Sequence, residues 1–312
     1  MKKCLYCYQP LDESENDFHA SCAKKIFGTA TLPVIDFDLK QLEELAKQII
    51  IKSVAVTGVQ PKLSLDLEKH KDELSRLTIV GLHGDYILKP PSVEYAELPE
   101  NEDLTMHLAE LVKIKTAKHS LIRLRSGELA YLTKRFDRKN GKKIAVEDFC
   151  QLSENLTEHK YRGSVEMIGR LIYQYTTNKG FEAQRLFELV LFSYLTGNAD
   201  MHLKNFSLIE NTLGEYEFSP AYDLLSTALV IPEDKEESAL TINGKKNRLK
   251  RSDFDALASS LKINEKSLQS IYERFNKTLP IWIAFIRQSF LSRKMQKSYV
   301  ELLNAKHKKL FS

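Results

Sequence analysis

The chain of 312 residues contains no run of about 18 apolar side chains; the densest stretch, 186–195, is interrupted by Glu188. It opens Met-Lys-Lys-Cys with no apolar segment behind it, so neither a secretory leader nor a membrane-spanning helix is expected. The expectation is a cytoplasmic chain with no membrane partner. A strong charge of one sign is also missing. The 46 basic and 42 acidic side chains leave +4, too little by itself to point to nucleic acid. Basic runs at 134–143, 244–251 and 306–309 suit a solvated face as readily as a phosphate or a tRNA-associated substrate. The Gly-Lys-Lys-Asn run at 244–247 is equally well an exposed turn. There is no internal repeat, no low-complexity linker and no glycine loop of the full G-x-G-x-x-G form. Cysteine is scarce, four in all, and three of them lie in the first 22 residues.

An apolar share of 43% is enough for sizeable cores, and the length allows two lobes of roughly 150 residues. Texture divides the chain. Residues 1–30 form a small separate module, 31–138 mix strand alternation with two helices, and 139–312 are helical, an α+β organisation. Helices are expected at 36–51 and 101–114, and strands at 62–67, 77–80, 86–88, 121–124 and 129–135. Spacings of three and four then predict helices at 164–176, 181–196, 252–260, 264–278 and 280–306.

The most informative segment is Asp200-Met201-His202-Leu203-Lys204-Asn205, with Asp223 following 18 residues after the Asn. An Asp, four residues, an Asn and a later Asp is the order in which protein kinases place a catalytic base and two Mg²⁺ ligands. One carboxylate takes the proton of the substrate hydroxyl, while an amide oxygen and a second carboxylate suit the hard ion that bridges ATP phosphates. Alone, the pattern also describes an ordinary polar turn. Its context is a helix ending at Gly197-Asn198 and a strand starting near Phe206, which is where a catalytic loop belongs. Upstream, Gly58 lies in a turn between strands that could cover phosphates, with Thr57 beside it. Lys89 ends a strand, and Glu102 lies early in the next helix, placed to pair with it. Singly, each of these residues is as well explained by a surface lysine or a helix-start acid; their joint order carries the weight.

Cys4, Cys7, His19 and Cys22 follow the spacing Cys-x2-Cys-x11-His-x2-Cys, two tight pairs of soft or borderline ligands suited to tetrahedral Zn²⁺. Four protein ligands would make such an ion structural. Free cytosolic thiols and a redox-active Cys-x2-Cys remain alternatives, although no βαβ pattern surrounds the pair. Cys150 is expected in a core.

At these residues the chain resembles the HipA-like serine/threonine kinases, the toxin components of bacterial toxin–antitoxin modules. The matching motifs are Val59-Gln60-Pro61-Lys62-Leu63-Ser64, Tyr86-Ile87-Leu88-Lys89-Pro90, Leu98-Pro99-Glu100-Asn101-Glu102 and Lys134-Arg135-Phe136-Asp137-Arg138. They continue with Glu147-Asp148-Phe149-Cys150-Gln151, the stretch from Gly197 to Ser207, and Ser219-Pro220-Ala221-Tyr222-Asp223-Leu224-Leu225-Ser226. Together they span about residues 50 to 310. The short forms look most like the HipT branch, whose missing N-terminal part is supplied by a small HipS-like partner.

What the resemblance implies is a two-lobed protein-kinase-like (HipA-like) α+β fold with a β-rich N-lobe (31–138), a helical C-lobe (139–312) and the zinc-like module in front. It implies ATP and Mg²⁺ as cofactors, Lys89 on phosphate, Asp200 as base, and Asn205 and Asp223 on Mg²⁺. His202 and Lys204 join the nucleotide site, backbone groups of Lys134 and Phe136 meet adenine, and Asp137 lies near the ribose. Family kinases autophosphorylate a serine in the Gly-loop. That position is Ala55 here, leaving Thr57 as the hydroxyl beside Gly58. Implied partners are a protein substrate such as an aminoacyl-tRNA synthetase and a HipB-like helix-turn-helix antitoxin, with DNA reached only through the antitoxin. Two other functions fit the same residues: a small-molecule kinase, or a weakly catalytic binding module in an antitoxin repressor complex.

Overall fold

The structure, a computed structural model, describes residues 2–52, 61–68, 75–80, 84–139 and 141–311. It divides into two compact units, the first of Met1–Asp103 and Ala117–Gly141, the second of Leu104–Thr116 and Lys142–Ser312. Ala55, Thr57 and Gly58 lie outside the described residues.

The first unit begins with helices α1 (Ala20–Phe27) and α2 (Leu39–Lys52). Its sheet has strands β1 (Leu63–Glu68), β2 (Arg76–Ile79), β3 (Tyr86–Lys89), β4 (His119–Arg123) and β5 (Leu129–Lys134), in the order β2-β1-β3-β5-β4. Every pairing is antiparallel. Strand β3 lies mid-sheet, opposite Leu63 to Leu65 on one side and Tyr131 to Lys134 on the other. Tyr86 and Leu88 point into the core by the two-residue period of a strand. Gly84, just before β3, is required: a Cβ there would lie 2.3 Å from the Leu65 carbonyl oxygen. The two-residue strand β6 (Arg138–Lys139) ends the unit's second segment.

Helix α3 (Leu98–Leu111) starts and stops three residues before the expected 101–114. Pro99 in the first turn needs no N–H partner, so the helix can begin ahead of the acidic residues. It ends where Lys113 turns left-handed (φ 68°) and the amides of Lys113 and Ile114 donate to the Glu110 and Ala109 carbonyls.

The second unit contains β7 (Lys142–Lys143) and a small sheet of β8 (Val146–Asp148), β9 (Ser207–Glu210) and β10 (Tyr216–Phe218), in the order β10-β9-β8. Its helices are α4 (Phe149–Leu152), α5 (Val165–Tyr175), α6 (Lys179–Thr196), α7 (Thr227–Val230), α8 (Arg251–Ser260), α9 (Glu265–Arg287) and α10 (Arg293–Phe311). Helix α6 is buried from Leu186 to Thr196 and organises this core. A helix boundary at Pro280 was expected; α9 instead continues through it. The lost backbone bond is offset by packing: Trp282 meets Phe275 and Phe192 edge to face and donates its indole N–H to the Leu108 carbonyl at 2.8 Å. The break comes after Arg287, and the Gln296 side-chain Nε2 donates to the Leu291 carbonyl in the connection that follows. No helix among the described residues is long and apolar enough to cross a membrane.

Candidate active site

In the first unit, the antiparallel ladder carries Lys89 to the end of β3, opposite Tyr131. Its side chain is 4% exposed, and Nζ lies 2.6 Å from Glu102 Oε1 on α3, itself 2% exposed. Nζ also lies 5.4 Å from the centre of the Tyr131 ring. Burying two charges is expensive, and their direct contact offsets part of that cost. The two residues singled out for each other in the sequence are therefore in direct contact.

Beyond β5, Lys134 donates its backbone N–H to Lys118 and places Nζ 5.5 Å from the Tyr86 ring centre. Phe136 is half-buried. Asp137 is half-buried too, which alone would raise its carboxyl. A two-point contact from Arg135 (2.9 and 2.7 Å) and one from Arg138 (2.6 Å) hold it below the usual carboxylate range instead.

In the second unit, α6 ends in a left-handed Gly197 (φ 68°), where a Cβ would meet Leu302 at 2.7 Å and Ala228 at 3.0 Å. The chain leaves this cap into a loop tied down by its own polar groups. Thr227 Oγ1 accepts from the Ala199 amide and donates to the Gly197 carbonyl, and Asn198 Oδ1 accepts from the Asp200 amide. The Asp200 carbonyl accepts twice, from the His202 amide at 2.8 Å and from Asn205 Nδ2 at 2.9 Å. That second bond orients the Asn205 amide with its nitrogen on the loop, so its oxygen is the atom suited to a cation. The Asp200 carboxylate accepts a 2.7 Å bond from the Tyr161 hydroxyl.

His202 packs edge-on against Tyr161, ring centres 5.1 Å apart. Burial holds its imidazole below the ordinary value, although the Asp200 and Asp223 carboxylates pull it upward. Lys204 forms an ion pair with Asp148 at 2.9 Å, and the Lys204 carbonyl accepts from the Tyr222 hydroxyl at the same distance. Asp223 follows directly and has φ 54°, a left-handed conformation that L residues seldom adopt and that concentrates at functional sites. The oxygen donors of Asn205 and Asp223 match the ligand preference of Mg²⁺.

Tyr161 and Asp148 were not anticipated as site residues. Asp148 stood in a motif without a role. Tyr161 is 39 positions from Asp200, carries no periodic signal, and is brought to the loop by the Lys160 carbonyl accepting from the Leu203 amide.

Also in the first unit, the ligand atoms of Cys4, Cys7, His19 and Cys22 all lie within 4.8 Å of one another. Cys150 is buried in the second unit, its thiol directed at the Asn155 and Leu156 carbonyls.

The model of the HipA-like C-terminal domain family matches residues 54–283. Y4dM of Sinorhizobium fredii, an inferred kinase, is 32% identical over 252 residues, 73% of this chain and 61% of that one. The serine/threonine-protein kinase toxin HipA of Shewanella oneidensis is 30% identical over 207 residues, 59% of this chain and 45% of that one. The chain spans about half the length of the curated relatives it matches. HipA of Shewanella oneidensis MR-1, solved with HipB and its operator DNA, has the same fold: TM-score 0.66 at 24% identity, covering 81% of this chain and 64% of that one.

Proposed function

The chain belongs to the HipA-like C-terminal domain family, and from that premise we propose that it is an ATP-dependent serine/threonine protein kinase acting as a toxin. The observation that carries this function is the buried Lys89–Glu102 pair at 2.6 Å, since kinases use that pair to aim a lysine at ATP phosphates. Lys89 neutralises phosphate charge while Glu102 holds its rotamer. Asp200 accepts the proton of the acceptor hydroxyl, and Tyr161 positions that carboxylate. Asn205 and Asp223 would hold Mg²⁺, which would supply neutralisation of phosphate charge. Lys204, tied to Asp148, and His202, kept neutral by burial, keep the loop that carries them in shape. Backbone groups of Lys134 and Phe136 take adenine, and Asp137 lies toward the ribose.

The acceptor is a Ser or Thr of a protein, with an aminoacyl-tRNA synthetase as the target class, and the chain is of the short HipT kind working in the cytoplasm. Its antitoxin is a HipB-like helix-turn-helix protein that contacts DNA on its behalf, as supported by the HipA–HipB–operator complex of the structural relative; a small HipS-like protein is a second partner. Thr57, beside Gly58, is the residue for loop autophosphorylation. The test is transfer of ³²P from ATP to purified synthetases by the full chain, with and without Mg²⁺. Metal-dependent labelling of a synthetase Ser or Thr supports the function. ATP binding with no protein labelled, and labelling of a small alcohol instead, would replace it with a small-molecule kinase.

A further inference from the structure

The N-terminal module holds four potential metal ligands, but its geometry also reaches the Lys89–Glu102 pair. We propose that Cys4, Cys7, His19 and Cys22 hold one structural Zn²⁺, and that the knuckle this ion closes positions helix α3, and with it Glu102, through Tyr8.

The distances are those of a metal site rather than of thiols that happen to be neighbours. Thiolate and imidazole ligands on one tetrahedral Zn²⁺ lie about 3.6 Å from each other. Cys7 Sγ and Cys22 Sγ lie 3.4 and 3.8 Å from His19 Nδ1. The other ring nitrogen, Nε2, lies 2.9 Å from the Pro10 carbonyl oxygen, which can only accept. The proton therefore sits on Nε2, leaving the Nδ1 lone pair for the ion, the arrangement by which an outer-shell carbonyl orients a ligating histidine. Cys4 and Cys22 are buried, and none of the three cysteines is in a disulfide. Four protein ligands fill the tetrahedron, so the ion does no chemistry on substrate.

Tyr8 connects this knuckle to the helix. It directly follows Cys7, its amide donates to the Cys4 carbonyl at 2.9 Å, and its φ is 63°. A bulky aromatic residue is held left-handed only where its surroundings fix it. Here the turn grips one end and the core the other: the ring is 1% exposed and the hydroxyl donates to Asp103 Oδ2 at 2.7 Å. Asp103 is the neighbour of Glu102 on α3. Its second oxygen is 2.7 Å from His119 Nδ1, and His119 stacks on Tyr131, the ring against which Lys89 lies. Additional contacts hold the module to the sheet: the Leu5 carbonyl accepts from the Leu121 amide, and the Ile26 carbonyl from the Tyr86 hydroxyl. Both members of the ion pair are thus one side chain away from a path that begins at the metal.

The inference rests on the kinase assignment only for its activity readout, so the experiments separate the two. Desalted full-length protein should contain about one zinc per chain, lowered in Cys22→Ser; zinc-free protein with all four side chains intact would overturn the site. Tyr8→Phe keeps the ring and the ligands and removes one hydrogen bond. It should retain zinc, speed hydrogen exchange of the amides at 98–111, and weaken binding of a fluorescent ATP analogue roughly ten-fold. Chelation should affect the wild-type protein in the same direction and add nothing further in Tyr8→Phe, a dependence that simple loss of packing would not produce. Unchanged exchange at 98–111 in zinc-loaded Tyr8→Phe would overturn the coupling. If wild-type protein binds no nucleotide, the kinase assignment fails while hydrogen exchange still decides this one.

Discussion

The Tyr161 hydroxyl donates a 2.7 Å hydrogen bond to Oδ1 of Asp200, the residue assigned as the proton acceptor. Tyr161 is 43% exposed, whereas the loop it touches is fastened from within by Asn198, Asn205 and Thr227. The phenol therefore orients the carboxylate of a loop that also has its own internal ties. Tyr161→Phe should leave nucleotide affinity unchanged and lower the single-turnover transfer rate by roughly three- to ten-fold, the effect of losing one ordinary, solvent-accessible hydrogen bond. An unchanged rate, measured with saturating ATP, would remove Tyr161 from the positioning role.

Breaking the Lys89–Glu102 pair from one side should cost more than removing it. Glu102→Leu leaves an ammonium buried at 4% exposure and is expected to destabilise by about 3–5 kcal/mol. Lys89→Met combined with Glu102→Leu replaces two ions by apolar groups and should recover most of that loss, while still abolishing ATP binding. Chemical denaturation of the two variants checks this. A double variant less stable than Glu102→Leu would mean that the pair contributes net stability.

Glu100, in the first turn of α3, supplies a pH dependence. Burial, with the Glu97 and Asp103 carboxylates adding to it, pushes its pKa from 4.5 up to about 7. A carboxyl raised in the folded state binds its proton more tightly there than in the unfolded chain. Its contribution to stability is therefore complete below about pH 4.5 and is lost as pH rises through 7. Between pH 5 and 8 the melting temperature should fall, and Glu100→Gln should reduce that fall by roughly a few degrees. Equal pH dependence in both proteins would contradict the shift.

What could be recognised from the sequence followed chain proximity and repeating patterns. Lys89 and Glu102 are 13 positions apart on a strand and the helix after it; alternation and helical spacing placed each, and the order of such residues in protein kinases paired them. The four knuckle ligands lie within the first 22 residues, and their spacing alone brought them together. Tyr8 was invisible because its role comes from a left-handed backbone and from Asp103, 95 positions away. The Tyr161–Asp200 contact and the Asp148–Lys204 pair also join segments far apart in sequence. Pro280 misled for a different reason. Local propensity predicts a stop, and the buried Trp282 outweighs it.

The most direct test of the central claim is single-turnover transfer of the ATP γ-phosphate to a synthetase Ser or Thr by wild-type chain and by Asp200→Ala, with nucleotide affinity measured alongside. Removing the base should cut transfer by roughly 10²–10⁴-fold while leaving Mg-ATP affinity within about two-fold, because the loss falls on the transition state. Transfer by Asp200→Ala at the wild-type rate would contradict the assignment of Asp200 and the catalytic account built on it.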